Sequence, residues 1–216
     1  SDLSVAFETQ EAERKRISED LHDSSGNSLM SLKINLSVLE RRGHFLSEPV
    51  IRDEMNETVV MLKEKIDRII KEINPMALEK FGLSNAILQL IDRKINKLYT
   101  VNISFEESGK SKRLAPKKEL MIYRIVQELI TNSIKYNSAW YMWIEFDWQP
   151  EALIVRIKDD GLGFSKYYQN RYDPYKTGFG LLNIRNRLKV LNAELNIFTE
   201  EGKSCAGITI PYNENI

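Results

Sequence analysis

The stretch WYMWIEFDWQPEALIVRIKDDGLGF, residues 140–164, decides the fold. In its first part Trp140, Met142, Ile144, Phe146 and Trp148 share one parity, and in its second Leu153, Val155 and Ile157 do. Side chains on a strand point alternately to opposite faces, so the spacing predicts strands at 140–148 and 152–158, each with one apolar face. Working outward, residues 117–137 read as a long helix, 83–98 as an amphipathic helix and 101–107 as a strand. Beyond the glycine-punctuated loop 159–180 come a helix at 181–191 and strands at 194–199 and 206–211. This mixed order predicts an α+β sandwich, one sheet covered on one face by three helices.

The first third of the chain is different. Between residues 8 and 42 there is no Pro, and Gly26 is the one Gly. Ile17, Leu21, Ser24, Ser28, Leu32, Asn35 and Leu39 recur every three or four positions, an apolar stripe interrupted by small polar residues. Gly43 closes that helix, and a loop containing His44 runs to Pro49. A second helix, 52–73, carries Met55, Val59, Leu62, Ile66, Ile69 and Ile73 at near-heptad spacing and stops at Asn74-Pro75. Two antiparallel helices bury one seam and leave their other faces wet, so the hairpin needs a partner. A second copy would complete a four-helix bundle. The expectation is therefore a homodimer, with 1–75 as a helical hairpin and 76–216 as the sandwich.

Composition narrows the function. Lys plus Arg equals Asp plus Glu at 31 each, so no net field gathers nucleic acid or anionic lipid. One Cys cannot form an internal disulfide, and with two His it cannot build a His/Cys zinc site. No apolar run reaches the roughly 18 residues of a membrane span. The stretch reads as cytoplasmic, with no direct nucleic-acid role.

Four segments carry chemistry. In ERKRISEDLHDSSGNSL, residues 13–29, His22 sits about 100° round the helix from Leu21, on the shoulder of the bundle, and Asp23 follows it. A carboxylate holding one imidazole N–H fixes the tautomer and raises the reactivity of the other nitrogen. Ser24-Ser25-Gly26 leaves room beside it for a bulky reactant. In ELITNSIKY, residues 128–136, Glu128, Asn132 and Lys135 fall at i, i+4 and i+7 on one helix face. Carboxylate, amide and ammonium in line suit water, Mg²⁺ and phosphate. At 159–164, a strand-end Asp can accept a hydrogen bond from an exocyclic amine, and Gly161 and Gly163 let backbone approach a flat ligand. Lastly, Gly178-Phe179-Gly180-Leu181 opens a helix whose N-terminal amides favour phosphate.

In this order the four segments closely resemble the sensor histidine kinases of two-component systems. Those kinases join a dimerising histidine hairpin to an ATPase domain of the gyrase/MutL type. The segment around His22 is most similar to the nitrate-sensor/DesK-like subfamily, and the resemblance covers residues 11–211. It implies His22 as phosphoacceptor, Asp23 as its general base and Glu128 assisting the metal or positioning water. It further implies Asn132 on Mg²⁺, Lys135 on phosphate and Asp159 reading the adenine amine. Gly161 and Gly163 would shape the pocket, and Gly178, Gly180 and Leu181 would bound a lid at 164–177 and cradle the phosphates. ATP and Mg²⁺ are the implied cofactors and a response regulator the implied protein partner. The full-length protein is expected to be a sensor in the bacterial inner membrane, because the first helix already runs before Glu13 with no sensor ahead of it.

Three positions depart from the family pattern. Asn27 stands where the subfamily has Gln, Tyr136 replaces a His, and Ile208 follows Gly207 where a Thr is usual. Thr209 points to the opposite strand face and is a poor substitute. Other residues read as ordinary structure: Cys205 as an inert strand-edge thiol, the basic cluster 110–118 as a solvated loop, Trp140 and Trp148 as core. Trp143 lies on the opposite face as an interface residue. The alternative to a kinase is a dimeric scaffold that binds ATP without turnover. A nucleotide-gated clamp ranks last, since it leaves His22 and Asp23 idle.

Overall fold

The computed structural model describes residues 2–41, 49–95, 101–136, 138–161 and 178–212. The chain divides into two compact units, Val5–Met76 and Ala77–Ile216, the second taking in Ser1–Ser4.

The first unit consists of α1 (Asp2–Arg41) and α2 (Pro49–Ile73). Both begin earlier than their apolar periodicity suggests. Pro49 suits a helix start, because its missing N–H would lack an intrahelical acceptor anyway. Asn74 N–H donates to the Ile70 carbonyl at 2.8 Å, and Pro75 ends the helix. Val59 of the α2 stripe and Leu36, which lies beside the α1 stripe, are buried, whereas Ile17, Leu32, Met55, Leu62 and Ile69 remain exposed. One chain alone thus covers only part of its apolar seam. The expected loop with His44 lies outside the described residues.

In the second unit a five-stranded sheet runs in the order β1-β2-β3-β5-β4. Its strands are β1 (Asn102–Gly109), β2 (Tyr141–Trp148), β3 (Ala152–Asp159), β4 (Glu194–Glu200) and β5 (Lys203–Pro211). β1 and β2 are parallel and the remaining pairs antiparallel. A parallel pair needs a long crossover, supplied here by α4 (Pro116–Tyr136). α3 (Met76–Ile95) and α5 (Gly178–Val190) are the other helices among the described residues. Met142, Ile144 and Phe146 of β2, Leu153, Val155 and Ile157 of β3, and Ile208 and Ile210 of β5 are fully buried. So are Ile87 and Leu90 of α3, Ile125 and Leu129 of α4, and Ile184 of α5. Each such side chain contributes about 1.5–3 kcal/mol. The opposite sheet face is polar: Lys158 Nζ meets Glu145 at 3.0 Å and Glu200 at 2.6 Å.

Several expectations need correction. Trp140 precedes β2 and is 64% exposed, so it is not core; the strand starts one residue later. Trp148 is buried as expected, its Nε1 donating to Glu107 at 2.6 Å. Cys205 is not at an edge, because β5 lies between β3 and β4. Segment 110–118 is anchored rather than solvated throughout. Lys118 is buried and donates to the Pro211 carbonyl at 2.6 Å, while Arg113 grips the buried Glu119 through Nε at 2.9 Å and Nη2 at 3.0 Å. Helix α3 starts earlier than expected and breaks at Gly82, whose φ of 81° suits glycine.

Candidate functional site

β3 alternates strictly: Leu153, Val155, Ile157 and then Asp159 are buried on one face. Asp159 thus occupies, at the strand's last position, the phase in which the other three are hydrocarbon. It is 0% exposed. A carboxylate there is costly unless hydrogen-bonded. Its Oδ2 accepts from the Ser133 hydroxyl at 2.9 Å, and its Oδ1 accepts from the Gly161 N–H at 3.0 Å.

Ser133 comes from α4, the helix that carries Glu128, Asn132 and Lys135. Asn132 is 4% exposed, and its Nδ2 finds no hydrogen-bond partner among the described residues. An unpaired buried amide costs roughly 1–3 kcal/mol, so the fold does not use this group for itself. Glu128, one turn earlier, is half-buried. Lys135 and Leu181 lie within helices, but their side chains are outside the described residues, as are Gly163 and the expected lid. Gly178 opens α5, with Gly180 in its first turn, and that turn carries no acidic residue to oppose an anion. α5 packs on α4, which also touches β3. Ile208 is buried in the core and Thr209 exposed on the other face, so neither offers a hydroxyl on the helix-covered side.

His22 and Asp23 stand on α1 of the other unit. Their side chains are 75% and 81% exposed, and His22 Nδ1 lies 3.3 Å from Asp23 Oδ1. Nearly two turns ahead, Arg16 is held by Glu13 at 2.6 Å and Asp20 at 3.0 Å, and this pairing keeps the Glu13 carboxyl below its ordinary range. A Cβ added at Gly26 would meet nothing within 4 Å, in keeping with the open space expected below the imidazole.

Two residues at the site escaped the reading of the sequence. Ser133 contributes through a contact spanning 26 positions, which no local pattern carries. Asp160, the second Asp of the pair, binds the N–H groups of Trp140 and Tyr141, each at 2.9 Å.

Comparison with known proteins gives the same outline. Residues 13–77 match the family model described as histidine kinase. Residues 117–214 match that of the histidine kinase-, DNA gyrase B- and HSP90-like ATPases. The oxygen sensor histidine kinase NreB of Staphylococcus carnosus is 26% identical over 90% of this chain and 55% of its own length. The sensor histidine kinase ComP of Bacillus subtilis is 27% identical over 92% of this chain and 26% of its own. The chain thus spans about half, or less, of these relatives. A blue-light activated histidine kinase of Erythrobacter litoralis shares the fold, with a TM-score of 0.52 at 17% identity over 75% of this chain and 59% of that one.

Proposed function

The chain belongs to the histidine kinases, and from that premise we propose that it transfers the γ-phosphoryl group of ATP to His22 and then to an aspartate of a response regulator. The observation that carries the reading is the buried Asp159 carboxylate on a helix-bearing sheet, tied to α4 beside the unpartnered amide of Asn132. Asp159 accepts the adenine amine, with Gly161 and Gly163 shaping the pocket. Lys135 and the α5 start, Gly178 to Leu181, hold the phosphates. Magnesium would be held through Asn132 Oδ1, a hard oxygen ligand, the Nδ2 of the same amide being the atom left without a partner among the described residues. Bound there with the nucleotide, the ion would neutralise phosphate charge, while Glu128 orients its water shell.

On α1, Asp23 takes the Nδ1–H of His22 and leaves Nε2 with its lone pair outward. That nitrogen forms the N–P bond as the bond from phosphorus to ADP breaks, and the electron pair departs on ADP. Residues 1–75 form the phosphotransfer hairpin and 76–216 the ATP-binding domain. The exposed Ile17, Leu32, Met55, Leu62 and Ile69 support a homodimer through a four-helix bundle. Among the described residues no helix is long and apolar enough to cross a membrane. We place this part in the cytoplasm of a bacterial sensor whose remaining length lies in or at the inner membrane.

The test is incubation with γ-labelled ATP and Mg²⁺. The kinase incorporates label, and Asn132→Ala abolishes both incorporation and magnesium-dependent ATP binding. ATP binding without any incorporation would favour a dimeric scaffold instead.

A further inference from the structure

Ser133 follows Asn132 on α4 and is fully buried. Its hydroxyl donates to Asp159 Oδ2 at 2.9 Å, while Oδ1 is held by the Gly161 N–H at 3.0 Å. The terminal torsion of a carboxylate is broad when left to itself. Here one oxygen is tied to a helix and the other to the backbone of the strand exit, so the plane of the group is set from two sides. With its proton committed to Asp159, Ser133 Oγ has only lone pairs left to offer. Carboxylate and hydroxyl together present an edge of acceptors.

We infer that Ser133 is a positioning residue for base selection: by fixing the Asp159 carboxylate, it sets the preference for a 6-amino purine over a 6-oxo purine. The inference rests on the reading of Asp159 as the group that meets the base. A 6-amino group brings N–H donors to these acceptor oxygens. A 6-oxo group brings an acceptor against acceptors, which leaves buried polar atoms unpaired on both sides. Loosening the carboxylate lets it turn away from the carbonyl oxygen, and discrimination falls.

Equilibrium binding of Mg-ATP and Mg-ITP to the whole chain tests this, with Ser133→Ala and Asp159→Ala compared and their unfolding transitions recorded. The ITP-to-ATP ratio of dissociation constants is expected to fall about tenfold in Ser133→Ala and about a hundredfold in Asp159→Ala. A merely structural role for Ser133 would weaken both nucleotides alike and leave the ratio unmoved. A ratio that collapses in Asp159→Ala but is unchanged in Ser133→Ala overturns the inference and keeps the reading of Asp159. A ratio unchanged in Asp159→Ala overturns that reading, and the inference with it. Should Ser133→Ala show no cooperative unfolding transition, Ser133→Cys keeps the shape with a weaker donor. A lowered ratio in that variant supports the inference, and an unchanged one overturns it.

Discussion

Asp160 holds Tyr141 by both of its backbone groups. The Asp160 N–H donates to the Tyr141 carbonyl at 3.2 Å, and Asp160 Oδ1 accepts the Tyr141 N–H at 2.9 Å. The same oxygen accepts the Trp140 N–H at 2.9 Å. This clasp closes the β2–β3 pair just beyond Met142↔Asp159, the last pair in register at that end. It therefore steadies the strand end from which Asp159 reaches its partners.

Asp160→Ala removes an acceptor for two N–H groups that water can partly replace. The expected cost is about 1 kcal/mol in denaturant unfolding. Asp160→Asn keeps one acceptor oxygen and should recover most of that loss. Equal destabilisation by the two variants would show that the clasp acts through charge.

On the open face of the sheet, the hydrogen bond from Lys158 to Glu200, helped by Glu145, pushes the lysine from its ordinary 10.5 up to about 12. The same bond holds Glu200 below its ordinary 4.5. A raised lysine adds stability that is complete below pH 10.5 and lost as pH climbs through about 12. A lowered carboxyl adds stability that is complete above pH 4.5 and lost as pH falls through its depressed value. Lys158→Met should therefore lower the unfolding midpoint at neutral pH, and the gap from the unmodified chain should shrink in acid below pH 4.5. A gap independent of pH would assign the loss to packing.

Cys205 is fully buried in the interior strand β5, and burial pushes its thiol up to about 11. At pH 8 only about one thiol in a thousand would be ionised, so iodoacetamide should not label the folded chain. Labelling should appear with the unfolding transition. Rapid alkylation under native conditions would contradict the placement of this strand.

Legibility followed the range of the signal. The strands around Phe146 and Val155 were readable because alternation is local, and so were α1, α2 and α4 from their helical spacing. Asp159 stood out as the Asp at a strand end that opens the glycine-punctuated run 159–164. Trp140 misled because parity continues past a strand end, and only the clasp by Asp160 shows where pairing stops. The position of Cys205 depends on β5 inserting between β3 and β4, a long-range pairing with no local signature. Arg113 and Lys118 looked like solvated cations, but Glu119 and the Pro211 carbonyl, distant or indistinct in sequence, hold them. The bond from Ser133 to Asp159 joins a helix to a strand and was invisible for that reason.

Asp23 is read as the group that orients His22 and accepts its proton. Asp23→Asn should slow labelling of the protein by about a hundredfold, the usual worth of a positioned base, with the affinity for Mg-ATP unchanged. A parallel loss of affinity would mean that Asp23 acts on nucleotide binding instead.

The most direct measurement is the chemical stability and position of the phosphoryl group after incubation with γ-labelled ATP and Mg²⁺, the unmodified chain beside His22→Ala. The account predicts a label that survives alkali, is lost in acid, maps to the peptide containing His22 and is absent from the variant. Acid-stable label, or label of equal yield in His22→Ala, would contradict it.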